Sequence, residues 1–500
     1  MLQAEHVGIV FVHGVGEQRR FQHLNGEARN LLDALRREAQ AKGGQIDVEI
    51  VNPGHAALLA DQDTWNGGPK SAVRIIATGL AEHEIQFHLH EVWWADVNET
   101  YSLAKQFRFW LWGLSVWHYP AKRASKLPSA GDVYPPVPQG RRAVIWTRAR
   151  LFGVGVVFAL LGFSIGTISF LLKRVFDLDP PELLRTITNY VSGVKLYNQR
   201  RRFSGGLIPK DDEFLDAIDE PPRVSIRRRM IRTIAQTALN DYDRWYVLAH
   251  SLGTVVAFNG LMETAWAWPG YLDEPLWRDL KAHVPPLAGP SRPGWPGRGS
   301  ATVPKRPVWS GGDVVYRSRV FERFRGFLTY GCPLDKFAAI WPARVPIARI
   351  PAFGPDAVWV NVYDPMDPIS GSLKAFQRQP ADCCPHPKNV GYASYWVLML
   401  AHIHYFTAKT MQPDLAAATV RWLLGIANPP GSGNNKLGAL QFNDSDISRK
   451  LRTAAAWTTW IVVFVALSLT GGYVFPLVLK AICAAGHAIS AASYDMFAKH

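Results

Sequence analysis

Residues 244–260 read RWYVLAHSLGTVVAFNG, and the fold is decided by this stretch. An apolar run of aromatic and branched residues, Trp245 to Leu248, leads into Ala249-His250-Ser251-Leu252-Gly253, and a helix-compatible apolar stretch follows at once. The pattern predicts a strand, a sharp turn with Ser251 at its apex, and a helix. A nucleophile on such a turn has a strained backbone, and the strand and helix pass close together, so positions 249 and 253 need small residues. Ala249 stands where glycine is commoner and still leaves room. A serine capping an ordinary helix gives the same five-residue look, so the rest of the chain has to decide between the two.

The apolar run Val7 to Val12 has the character of a buried parallel strand rather than a signal peptide, since no basic leader precedes it. His13-Gly14-Val15-Gly16-Glu17-Gln18 follows it. Glycines directly after a buried strand let backbone N–H groups face a cleft, as holding an oxyanion requires; a plain glycine turn or a phosphate loop are the alternatives. The dinucleotide spacing G-x-G-x-x-G is not met, because Arg19 stands where the third glycine belongs. An amphipathic helix over 24–41 and strands over 46–52 and 85–96 continue an alternation that implies a parallel sheet with helices on both faces.

Of 500 residues 48% are hydrophobic, which allows one large domain with insertions, or two or three domains. The net charge of +14 points toward an anionic partner or plain solubility. Cysteines number four, Cys332, Cys383, Cys384 and Cys483, so a disulfide framework is not expected and a reducing compartment is the simplest reading. Cys383, Cys384 and His386 make a poor tetrahedral set and read as a loop, so neither metal nor other cofactor is expected.

Beyond residue 97 the character changes. Residues 107–120, FRFWLWGLSVWHYP, form an aromatic stripe of the kind found at a lipid headgroup boundary. From Leu151 to Leu172 run 22 uncharged residues, a helix about 33 Å long at about 1.5 Å per residue. Thr453 to Leu479 is uncharged for 27 residues between Arg452 and Lys480. Both read as membrane segments, with buried core helices as the alternative. Basic residues flank 151–172 on both sides, which fits a hairpin or a helix lying in one leaflet. Gly162 and Gly166 offer a small-residue face for packing. If the loop at 13–16 and Ser251 share a cleft, the excursion over 97–205 returns to the side it left. The basic stretch 195–232, with Arg200, Arg201, Arg202, Arg223, Arg227, Arg228, Arg229 and Arg232, suits anionic headgroups, or is a solvated helix face; nucleic acid is not the expected partner. Residues 284–313 are rich in Pro, Gly, Arg and Ser and read as a surface loop.

Two more strands, near 324–330 and 357–362, are expected; the second ends in Asp364 and Asp367. A carboxylate beyond a strand end shares the sheet edge with the serine turn. Histidines come last, His402 and His404 in LMLAHIHYF. The order Ser, Asp, His is the one expected of a serine hydrolase on such a sheet.

With these residues in view the chain resembles the α/β-hydrolase superfamily, and within it bacterial lipase-like or esterase-like hydrolases. The resemblance rests on FVHGVGEQ (11–18), VLAHSLGT (247–254), FLTYGCPLDK (327–336), WVNVYDPMDPIS (359–370) and AHIHYF (401–406), and covers roughly half the chain. It implies Ser251 as nucleophile and His402, three residues before Tyr405, as base, with His404 the alternate. It further implies Asp367 as acid, ahead of Asp364 and more distantly Asp382. The oxyanion donors would be the backbone N–H of Leu252 and of Val15 or Gly16, and His250 would pack beside the sheet.

The expected fold is a doubly wound, mostly parallel α/β-hydrolase sheet with a membrane-embedded helical insertion and a C-terminal membrane region. The expected division is 1–96 and 206–430 for the hydrolase halves, 97–205 for the insertion and 431–500 for the C-terminal segment. The expected activity is hydrolysis of carboxylic esters, foremost lipid acyl esters, at a membrane surface with anionic headgroups, on the cytoplasmic side of a bacterial inner membrane. The rival readings are a non-catalytic membrane-anchored interaction protein and a delivered antibacterial lipase. The oligomeric state is not legible.

Overall fold

The computed structural model of the protein describes residues 4–14, 21–50, 73–97, 221–240, 242–264, 267–284, 317–340, 356–364, 369–373, 386–391 and 415–425, with isolated residues that include Tyr197, Asp367, His402, Tyr405 and Phe406. In chain order these give β1 (Glu5–Val12), α1 (Gln22–Lys42), β2 (Gln45–Ile50), β3 (Val73–Thr78), β4 (Ile85–Val92), α2 (Pro222–Leu239), β5 (Arg244–His250), α3 (Leu252–Leu261), α4 (Glu274–His283), α5 (Arg317–Val320), β6 (Phe324–Tyr330), α6 (Leu334–Ile340), β7 (Val358–Tyr363), β8 (Lys388–Gly391) and α7 (Leu415–Leu423).

The strands form one eight-stranded sheet in the order β2-β3-β4-β1-β5-β6-β7-β8. From β4 to β8 all neighbours are parallel. The sheet is mostly parallel, as expected, with the β2–β3 and the β3–β4 pair antiparallel. The reason is the link from β3 to β4: residues 79–84, opening on Gly79 at φ 76°, are too few for the crossover that a parallel neighbour needs.

Period-two alternation divides the side chains between two cores. Val7, Ile9 and Phe11 of β1, Tyr246 and Leu248 of β5, and Val360 and Val362 of β7 meet α1 and α7 on one face. Val10, Val12, Trp245, Val247, Ala249 and Trp359 meet α2, α3, α4 and α6 on the other. Each fully buried side chain of this kind stabilises by roughly 1.5–3 kcal/mol, so the sheet is fixed from both sides and its register leaves little slack. Leu24, Leu31 and Leu35 set the buried stripe of α1. Its first turn is held by the Glu91 carboxylate, which accepts from the N–H groups of Phe21 and Leu24 at 2.7 and 3.3 Å.

Val97, just after β4, and Tyr197 lie in the same core, with Tyr197 packed edge-on to Phe337 and its hydroxyl accepting from Asn259 of α3. Val97 and Tyr197, near the two ends of the 97–205 excursion, thus share one face of the sheet. Along α2 the arginines serve the fold: Arg227 pairs with Glu263 at 2.7 Å, Arg232 with Asp273 at 3.3 Å, and Arg229 is buried and donates to the Trp93 carbonyl.

Residues 107–120 and 151–172 lie outside the described residues, as does 453–479 except for Ala454, Ala455, Thr458 and Val462, which are helical. Among the described residues no helix is long and apolar enough to cross a membrane.

Candidate active site

Three loops meet at the carboxyl ends of β1, β5 and β7. The order of strands reverses between β1 and β5, with β4 on one side of β1 and β5 on the other, and the crevice at such a reversal is where ligands sit in open α/β sheets. Ser251 stands there, at φ 54° and ψ −130°. A positive φ in a residue with a side chain costs on the order of 1–3 kcal/mol, and the surroundings hold it. Its N–H donates to the Tyr330 carbonyl at 3.0 Å, and its own carbonyl accepts from the N–H and hydroxyl of Thr254 at 3.0 and 2.7 Å.

Of the two small positions expected around the turn, 253 is required to be small by contact. A Cβ on Gly253 would lie 2.4 Å from the carbonyl oxygens of Val12 and His13, so only glycine lets α3 pass the end of β1. A Cβ on Gly14 would lie 2.6 Å from Cβ of Ser251. Gly14 therefore lies directly against Ser251. His13 holds that glycine. The Trp94 backbone N–H donates to its Nε2 at 3.0 Å, which leaves the proton on Nδ1, and Nδ1 donates to the Gly14 carbonyl at 2.6 Å. The Trp94 indole stacks on the His13 ring at 5.0 Å and donates to its carbonyl. Leu252 opens α3, where a backbone N–H has no helical acceptor and is available to an oxyanion. Val15 and Gly16 lie outside the described residues.

Ser251, His402 and Asp367 are in line. Ser251 Oγ and His402 Nε2 are 2.8 Å apart, and His402 Nδ1 is 2.8 Å from Oδ2 of Asp367. All three residues are at least 97% buried. Since a carboxylate only accepts, Nδ1 carries the proton and Nε2 faces the hydroxyl as an acceptor. Burial by itself would raise the Asp367 carboxyl, but His402, the Ile369 N–H at 2.8 Å and the Tyr405 hydroxyl at 2.9 Å outweigh it and hold the group below the ordinary carboxylate range.

Tyr405 is the member that sequence reading used only as a spacing mark. Its hydroxyl accepts from the Asp364 N–H at 2.9 Å, donates to Asp367, and lies 3.0 Å from the Ser370 hydroxyl. Asp364 thus stands in the turn that carries the acid, its carbonyl accepting from the Asp367 N–H at 3.0 Å, while Asp367 faces the histidine. Lys336 holds the same loop through the Ser370 carbonyl. His404 and Asp382, the other alternates, and Cys383 and Cys384 lie outside the described residues. His250 does more than pack: its Nε2 donates to the His402 carbonyl at 2.8 Å.

Beside this site is a second buried polar group. Glu27 and His23 of α1 approach at 3.9 Å, near Tyr330. Burial pushes the Glu27 carboxyl up to about 8 and holds His23 well below its ordinary value, so both are neutral at pH 7. Burial also pushes the Cys332 thiol up to about 12, which leaves it inert. Among the described residues no cluster of three His, Cys, Asp or Glu side chains has the arrangement of a metal site.

Comparison of the chain with protein-family models, with curated proteins and with solved structures returns no match.

Proposed function

We propose that this protein is a serine hydrolase of the α/β-hydrolase kind, cleaving carboxylic esters through an acyl-enzyme. One observation carries the reading: an unbroken line from Ser251 through His402 to Asp367, at 2.8 Å per step, with the serine strained on a strand-to-helix turn beside a glycine loop. The chemistry follows from the positions. His402 takes the hydroxyl proton as Oγ attacks the ester carbonyl, and Asp367 stabilises the imidazolium and keeps its ring oriented. The Leu252 N–H and the glycine-loop backbone stabilise the tetrahedral oxyanion, each such donor being worth about 3 kcal/mol of barrier. His402 then returns its proton to the leaving alcohol, and water activated the same way releases the acid.

The substrate class we propose is lipid acyl esters. The support is the sequence of 107–120, 151–172 and 453–479, together with the exit and re-entry of the first of these excursions on one face of the sheet. A cleft attached to its membrane segments in this way is held close to the lipid surface. Two measurements test the proposal. A fluorophosphonate probe should label the full-length protein in detergent and should not label Ser251→Ala. Lipidomic comparison of membranes holding active protein with membranes holding Ser251→Ala should show loss of an acyl lipid and gain of its lyso product or fatty acid. Ready cleavage of short soluble esters with every long-chain lipid ester untouched would remove the lipid assignment and leave the esterase.

A further inference from the structure

His250, the residue before the nucleophile, bonds by its side chain to the backbone of the base. We infer that His250 is a positioning residue of the hydrolytic site, gripping the main chain of His402 so that the base is held at two points by two consecutive residues of the elbow. The inference rests on the hydrolase reading above and deepens it.

The geometry is a closed ring. Ser251 Oγ meets His402 Nε2 at 2.8 Å, and His250 Nε2 meets the His402 carbonyl at 2.8 Å. The carbonyl only accepts, so the proton resides on His250 Nε2 and the tautomer is fixed. Asp367 at Nδ1 orients the imidazole, and the His250 bond ties the backbone behind it to the strand end that also carries the nucleophile. A phenyl ring in its place would supply the same stacking without the N–H.

Stacking is extensive. The His250 ring lies 5.0 Å from Tyr330 at 17°, and 5.0 Å from the His402 ring at 34°, with His23 behind it at 6.3 Å and 12°. Gly331, at φ 61°, makes room for both imidazoles: a Cβ there would lie 3.1 Å from His402 Nδ1 and Cε1 and 3.2 Å from His250 Cδ2. Burial lowers His250 to about 3, so it is a neutral donor near pH 7.

The test compares His250→Phe, which keeps the stacked ring and loses the donor, with His250→Gln, whose amide restores an N–H. The readouts are the rate constant of fluorophosphonate labelling and steady-state hydrolysis of a short-chain p-nitrophenyl ester by the full-length protein in detergent. His250→Phe is expected to lower kcat and the labelling rate by about 10–100-fold, the scale of a misplacement near 1 Å, with KM unchanged. His250→Gln is expected to recover most of the loss. The far-downfield proton resonance of His402 Nδ1–H should be retained in the Gln variant and broadened in the Phe variant. If His250→Phe does not fold, His250→Met, which fills the volume without donating, takes its place in the same comparison. Equal rates for wild type and the Phe or Met variant overturn this inference alone, and so does a Gln variant as slow as Phe, which would assign the effect to ring shape. A wild-type protein that the probe does not label at Ser251 overturns the hydrolase reading and this inference together.

Discussion

Two groups of histidines lie in and around the sheet and are put to different use. At the carboxyl ends of β1 and β5, His13, His250 and His402 surround Ser251, and Asp367 closes the line. Near the other end of β1, His6 and His88 meet nitrogen to nitrogen at 3.1 Å, while His90 meets the Tyr242 hydroxyl at 2.8 Å. Tyr242 fills the space left by Gly8, where a Cβ would lie 2.5 Å from its ring. His13 and His402 in the first group and His88 and His90 in the second are all buried, so burial does not make a histidine reactive. What separates them is a carboxylate that fixes one tautomer and a strained serine in front of the other nitrogen. The second group tightens the sheet; the first has the parts for acyl transfer.

The largest effect that would break this contrast is at the first group. Ser251→Ala should abolish ester hydrolysis and probe labelling, and Asp367→Asn should lower kcat by about 10⁴-fold, as loss of the acid does in other triads, with the melting temperature nearly unchanged. Gly14→Ala forces a methyl onto Ser251 and should lower kcat by about 100-fold; wild-type kinetics in that variant would show that the glycine loop does not touch the nucleophile. Tyr405→Phe removes one of the donors that hold the Asp367 charge and should lower kcat by about tenfold, close to 1.4 kcal/mol, leaving KM as it was.

The second group should answer in stability rather than in rate. His88 is lowered to about 4, first by burial and then by His6 and Arg74. The unfolded chain takes up that proton near pH 6.5 and the folded chain not until about 4, so stability is lost as pH falls through this window. His88→Gln should flatten the fall in melting temperature between pH 6.5 and 4 without touching kcat at pH 7.5. A further effect on stability sits at Glu27, which burial pushes up to about 8. A raised carboxyl contributes stability at low pH that is lost as pH rises toward 8, so Glu27→Gln should raise the melting temperature at pH 9 relative to wild type, and by less at pH 5.

Much of the candidate site was legible because each part carries a local signal. The A-H-S-L-G turn follows from the need for small residues around a strained serine, and contacts of Gly253 with the end of β1 agree with that need. The choice between Asp364 and Asp367 was not legible, since both follow the same strand by a few residues; the turn closed by the Asp367 N–H on the Asp364 carbonyl is what brings only the later carboxylate to His402. Tyr405 and His250 were visible as letters and not as parts of the site, because each acts through a contact of long sequence separation. The antiparallel direction of β3 is not legible for a similar reason: six residues interrupted by Arg74 give no direction, and only the short link to β4 dictates its pairing with that strand.

By itself the sequence determined the periods, the turns and the chain order of serine, acid and histidine, because these depend on neighbours within a few residues. The tertiary structure alone decided which carboxylate, which nitrogen and which backbone carbonyl meet. Those choices are distances between residues 35 to 152 positions apart, set by the packing of two cores against one sheet and by no property of the residues one at a time.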